Sequence, residues 1–174
     1  NNTAKIGGGI YAEGNFNMLG GKIQNNTAIE NGGGVYATKA NLNIKGNVTV
    51  SNNNKNSVAN NFYLYNSSRI TTQLNITGGL TGGNIGVTSS NAKLNSGIVA
   101  SGSGYSITES DAAKIVSDVE GYETSLKNNN VIIKKILASL SADDFVFTPP
   151  ADLIYSGSKK EATVKAKEGV SCGK

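Results

Sequence analysis

Few residue types in this chain are equipped for chemistry. Its 174 residues include no His, one Cys (Cys172) and one Arg (Arg69). A thiol with no imidazole to take its proton is not an activated nucleophile, and a lone Cys forms no intramolecular disulfide. In the first ninety residues the only acids are Glu13 and Glu30. Glycoside hydrolysis usually needs two carboxylates about 5 to 10 Å apart. Glu13 and Glu30 flank opposite sides of a glycine run and could approach each other in adjacent repeats. The simpler reading makes them two solvated turn residues. A polysaccharide lyase needs a base and a cation against a uronate, but Arg69 stands alone and no acidic cluster suits calcium. Asp143-Asp144 precede a strand-like run and read as a turn, not as metal ligands. No catalytic, cofactor-binding or metal residues are expected.

The glycines in "NNTAIENGGGVYA" (25–37) need their own explanation. A phosphate-cradling loop would follow them with Gly-Lys-Ser/Thr and a helix. Val35-Tyr36-Ala37 follows instead, and it is strand-like. The net charge is +4, yet the lysines are scattered. The one cluster, Lys159, Lys160, Lys165 and Lys167, is interleaved with Glu161 and Glu168. That is a solvated strand face, so no nucleic-acid partner is expected. No apolar run approaches the length of a membrane helix, so no membrane insertion is expected of this segment. The chain opens on Asn1-Asn2-Thr3 without a signal peptide.

The elements that would position these residues repeat. Asn1-Asn2-Thr3-Ala4 recurs 24 residues on as Asn25-Asn26-Thr27-Ala28. Gly7-Gly8-Gly9-Ile10-Tyr11-Ala12 recurs 25 on as Gly32-Gly33-Gly34-Val35-Tyr36-Ala37. Phe16-Asn17-Met18 recurs 26 on as Leu42-Asn43-Ile44. A worn third copy sets Phe62-Tyr63-Leu64 against Val35-Tyr36-Ala37, with Asn60 and Asn61 replacing two glycines. Each copy alternates apolar and polar residues over short stretches, as half-buried strands do. Of 24 asparagines, 21 precede residue 100, so the first half must turn often.

One such unit cannot bury its own apolar face. Stacking units about 4.8 Å apart makes a continuous core. The expected fold is all-β: a short right-handed parallel β-helix of about three rungs over residues 1–88. Gly7, Gly8, Gly9, Gly32, Gly33, Gly34, Asn60 and Asn61 are expected at its corners, where positive φ and close backbone approach are needed. Gly33 is expected to stack between Gly8 and Asn60, with Asn tolerated there. Tyr11, Tyr36 and Tyr63 should line the outer face, as a stabilising ladder or as a platform for a sugar ring.

These residues resemble the repeats of bacterial surface β-helix proteins, most closely the polymorphic outer-membrane-protein repeat. That repeat is marked by Gly-Gly-Ala-Ile and Phe-x-x-Asn. Here the first mark reads Gly-Gly-Gly-Ile (7–10) and Gly-Gly-Gly-Val (32–35), and the second Ile23-x-x-Asn26 and Val50-x-x-Asn53. The looser "GGxI…NNTA…GGGVY" pattern is similar to repeats in large wall-anchored or secreted proteins. A second resemblance begins after Pro149-Pro150. "DDFVFTPPADLIYSGSKKEATVKA" (143–166) resembles the first strands of a small bacterial surface β domain marked by Tyr-Asp-Gly, here Tyr155-Ser156-Gly157. The resemblance implies a non-enzymatic, structural and adhesive segment at a cell surface or secreted, contacting a glycan or a host-surface protein. A carbohydrate-binding or polysaccharide-degrading β-helix is the alternative.

Residues 89–138 do not repeat. Thr108 and Asp111 have capping-box spacing before a two-turn helix, and Tyr122–Leu137 alternates on both sides of Lys127-Asn128-Asn129-Asn130, as a hairpin does. This segment is expected to cap the helix, because open rung ends invite stacking with other chains. Residues 139–174 are expected to be a linker and the first strands of an incomplete β domain.

Overall fold

The computed structural model describes residues 1–90, 97–136, 145–149 and 163–168. Cys172, Asp143-Asp144, Tyr155-Ser156-Gly157, Lys159, Lys160 and Glu161 lie outside these residues. The chain divides into two compact units, Asn1–Ile136 and Leu137–Lys174. In the second, Phe145–Thr148 pairs antiparallel with Thr163–Ala166.

The first unit is a parallel β-helix of about four turns. A full turn has four strand positions, each stacked on its counterpart in the next turn. The first position runs Thr3–Ile6, Thr27–Asn31, then Asn54–Lys55. The second sets Ile10-Tyr11-Ala12 on Val35-Tyr36-Ala37, then Phe62-Tyr63-Leu64, then Val87-Thr88-Ser89. The third sets Phe16–Met18 on Leu42–Ile44, Leu74–Ile76 and Ala100–Gly102. The fourth aligns Ile23, Val50, Ile85 and Ile115.

Strand alternation turns the same columns inward in every turn. Val35, Leu42, Val50, Phe62, Leu74 and Val87 are fully buried. Each such side chain contributes roughly 1.5–3 kcal/mol by leaving water.

There are about four turns where the repeats suggest about three. Parallel pairing runs past residue 88, through Ile98–Gly102 and Ile115–Ser117. These strands lack the Asn-Asn and Gly-Gly-Gly signals because the path changes. From Val50 to Phe62 the chain detours through the first strand position. From Ile85 to Val87 it crosses directly. The abandoned position is closed in the third turn, where Asn54–Lys55 folds back antiparallel on Val58–Ala59 through Asn56 and Ser57, both at positive φ.

The C-terminal end carries a short helix and a hairpin. The helix, Glu109–Ala112, is one turn long rather than two, with Thr108 and Asp111 closing a capping box. Tyr122–Lys127 and Asn130–Lys135 pair around Asn128 and Asn129, both at positive φ as a type I′ turn requires. Residues of the second hairpin strand run antiparallel to Ile98–Ser101, so the edge of that last strand is covered.

Candidate functional site

The three glycines of each corner differ in what they do. Gly7 and Gly32 come first and turn the chain at φ 63° and 69°. Gly8 and Gly33 come second and have no positive φ. A Cβ on Gly33 would meet the backbone of Asn54 in the next turn, with Asn54 N only 2.5 Å away. Gly8 meets Thr27 and Gly33 in the same way. This corrects the expectation that Gly33 needs positive φ and tolerates Asn: the restriction is steric, and every Cβ collides. Gly9 and Gly34 come third. A Cβ on Gly34 would lie 2.7 Å from the Asn53 amide nitrogen, so this glycine makes room for a side chain of the interior.

That side chain belongs to a ladder running down the coil. Asn25 and Asn52 take the corner at positive φ, 59° and 57°. The second residue of each pair, Asn26 or Asn53, turns inward and is buried. Asn2 donates to Asn26 Oδ1 from its backbone N–H (3.0 Å) and its amide (3.1 Å). Asn26 donates both groups to Asn53 Oδ1, each at 3.0 Å. Asn53 donates both to Asn61 Oδ1, at 2.8 and 3.1 Å. Because a backbone N–H always donates, the acceptor in each step must be the amide oxygen, and the ladder has a fixed direction.

Such a chain of donors must end on a group that only accepts. Asn61 gives its N–H to Asp118 Oδ2 at 2.6 Å and its amide to Oδ1 at 2.7 Å. Asn61 stands in the register of Gly34, and Asn60, in that of Gly33, accepts from the Gly32 N–H and donates to Thr88 Oγ1 at 3.2 Å. Both were expected at a corner; what they supply is side-chain hydrogen bonds. Asp118 escaped the sequence reading, since nothing in "IVSDVEG" marks it as a ladder terminus.

Two carboxylates near this end, buried Asp111 and half-buried Asp118, respond oppositely to acid. Burial pushes Asp118 up, against the hydrogen bonds from Asn61 and Thr88. At Asp111 burial also pushes upward, but Thr108 hydroxyl, Leu80 N–H, Thr108 N–H and Tyr105 hydroxyl donate to it and together bring it down to about 2. A raised native pKa favours the protonated fold, so the Asp118 contribution is lost as pH rises through that value. A lowered one favours the ionised fold, so the Asp111 contribution is lost as pH falls from about 4 to about 2. Asp111→Asn should therefore lose about 2 kcal/mol at pH 7 and little at pH 2. Asp118→Asn should flatten the rise in stability as a neutral solution is made mildly acid. Thermal melts of both variants from pH 2 to 7 check the signs.

The structure brings Tyr11, Tyr36 and Tyr63 together. Ring centroids lie 5.4 Å apart for Tyr11–Tyr36 and 5.3 Å for Tyr36–Tyr63, with interplanar angles of 9° and 15°. Tyr65 also stacks near Tyr36, at 6.3 Å. Faces turned to each other leave edges and hydroxyls for the outside. Burial, then the neighbouring tyrosines Tyr63 and Tyr11, push the Tyr36 hydroxyl pKa up, and burial leads at Tyr63. Beside this ladder the outward Asn side chains also pair between turns: Asn43 donates to Asn17 at 2.8 Å and Asn75 to Asn41 at 2.6 Å.

The two rung acids lie in different strands. Glu30 lies in the first strand position and binds Lys5 at 3.2 Å across turns, with both side chains well exposed. Glu13 follows the second strand position. Among the described residues no three His, Cys, Asp or Glu side chains gather to hold a metal ion. Set beside known proteins, the chain stands apart: no family model, no curated protein and no solved structure matches it.

Proposed function

We propose that this chain is a non-enzymatic structural and adhesive segment of a large bacterial surface or secreted protein. It acts as a stiff spacer that presents its outer faces to a glycan or a host-surface protein. The observation that carries this reading is the direction of its polar groups. Inner amides, outer amides and tyrosines are engaged with their counterparts one turn away, which builds rigidity along the axis. The resemblance of the Gly-Gly-Gly-Ile/Val corners to surface β-helix repeats supports the same role. No helix among the described residues is long and apolar enough to cross a membrane.

A carbohydrate-binding role is the second reading, favoured by one observation. Tyr11 is 53% exposed and begins the stack, so its outer face has no partner ring. A glycan array separates binding from no binding, and Tyr11→Ala should abolish any signal that rests on that face. Against pectin, alginate and glycosaminoglycans the purified chain should show no turnover. Activity that survives purification and falls in Glu13→Gln or Glu30→Gln would overturn the non-enzymatic reading.

A further inference from the structure

Of the 24 asparagines only one, Asn31, is followed by glycine. That dipeptide can react with itself. Glycine has no Cβ to shield its nitrogen, so the Gly32 nitrogen can reach the carboxamide carbon of Asn31. The nitrogen gives up its proton and bonds to Cγ. The Cγ–Nδ2 bond breaks, and ammonia leaves with that proton. Water then opens the five-membered imide. Opening at Cγ leaves aspartate at 31. Opening at the backbone carbonyl leaves isoaspartate, and the main chain then runs through the side chain, one methylene longer. The reaction needs no oxidant, metal or second protein. It belongs to one turn, because Ile6 stands in the register of Asn31 in the turn above.

The fold holds the reacting groups. The Gly32 N–H, the nucleophile, is donated to Asn60 Oδ1, and Asn60 is buried. Asn60 is held in turn: its amide donates to Thr88 Oγ1 at 3.2 Å, and that hydroxyl donates to Asp118 Oδ2 at 3.3 Å. The Asn31 carboxamide is fixed from the next turn, with Lys55 Nζ donating to its Oδ1 at 3.1 Å. The adjoining carbonyls are engaged as well. Asn31 O accepts from the Gly7 N–H at 3.1 Å, and Gly32 O from the Gly8 N–H at 2.9 Å. Ring closure requires the Gly32 nitrogen to lose its proton and turn toward Cγ, so its bond to Asn60 must break first.

We propose that Asn31-Gly32 is a spontaneous modification site and that Asn60 is its guard: the closed corner keeps the asparagine intact, and each opening of the corner exposes it to conversion. The two products differ in consequence. Aspartate keeps the backbone and meets Lys55 as an ion pair. Isoaspartate lengthens the corner by a methylene, beside Gly33, which packs against the Asn54 backbone. That turn then cannot close in register. Conversion is a one-way record of corner opening, and it is independent of the adhesive role.

The test incubates the full chain at mildly alkaline pH beside a synthetic peptide of residues 25–37. Peptide mapping with electron-transfer fragmentation counts Asn, Asp and isoaspartate at 31. The peptide should convert, and the folded chain should convert at least about tenfold more slowly. Asn60→Gly places at 60 the residue that the upper turns carry in that register, so circular dichroism should show it folded. It should convert Asn31 about tenfold faster than the unsubstituted chain, and the Gly32 amide should exchange with deuterium faster by a similar factor. Asn56-Ser57, in an exposed turn, is the internal control and should convert at the same rate in both chains. If the variant does not fold, the unsubstituted chain in low urea decides: Gly32 exchange and Asn31 conversion should rise together. Three results would each overturn the proposal: a folded chain that keeps pace with the peptide, a folded Asn60→Gly that converts Asn31 no faster, or urea that speeds Gly32 exchange without speeding conversion.

Discussion

Gly33→Ala should lower the thermal midpoint of the first unit by about 10 °C or more. The added methyl meets the Asn54 backbone, with Asn54 N 2.5 Å away. Backbone cannot rotate aside as a flexible side chain can, so the two turns must separate or shift. Overpacking of this kind costs about 1–3 kcal/mol where neighbours adjust and more where they do not. In a domain of this size about 1 kcal/mol moves the midpoint by roughly 3–5 °C. Each turn is the floor of the next, so the damage spreads to both neighbours. Gly33→Asn should fare no better, because its Cβ occupies the same place. Gly20→Ala is the control: nothing lies closer than Asn47 O at 3.6 Å. Differential scanning calorimetry of the three variants decides it. A Gly33→Ala midpoint equal to that of Gly20→Ala would mean that the turns are not packed at this corner as described.

Asn53→Leu should be the most damaging change of similar volume. Asn53 is fully buried. Its removal strips an acceptor from the Asn26 N–H and amide, and donors from the Ile23 and Ser51 carbonyls. Orphaned buried polar groups cost about 1–3 kcal/mol each. Allowing for partial relaxation, a loss of about 3–5 kcal/mol is expected, with a midpoint more than about 10 °C lower. Asn53→Asp keeps the acceptor but buries a charge, so its deficit should shrink as pH falls. Asn41→Leu, on the outer face, should change stability by no more than about 0.5 kcal/mol. Equal urea midpoints for the Asn53 and Asn41 variants would show that the ladder does not contribute to stability.

What could be read from the sequence was what repeats at a steady interval. Ile10 on Val35, Phe16 on Leu42 and Phe62 under Val35 follow from recurrences of 24 to 27 residues, and the tyrosines come with them. The ladder was hidden because Asn has two uses that composition cannot separate. In Asn25-Asn26 the first residue turns the chain and the second reaches inside, and both look like turn residues. Gly34 was read as a corner when its role is to leave space for Asn53. The fourth turn was missed for a different reason. It crosses from Ile85 to Val87 without the corner that carries the signals, and its third strand, Ile98–Gly102, lies outside the recurrent sequence copies. Asp118 becomes meaningful only when Asn61 is brought onto it, 57 residues away in the chain.

That direct crossing at Ile85–Val87 makes the coil taper. Upper turns have a full perimeter, and the lower ones lack a side. A full turn therefore has no matching floor below the third. New turns can be accommodated only above the narrowing, between the first and the third, where perimeter and corner chemistry agree. Duplication of a segment such as 25–51 would extend the tube while leaving its terminus intact. Duplication of 85–114 would place a narrow section on a narrow section, with no Asn-Asn corner to carry the ladder onward. Within the first unit, the narrowing thus sets where an inserted full turn would find a matching floor and where it would not.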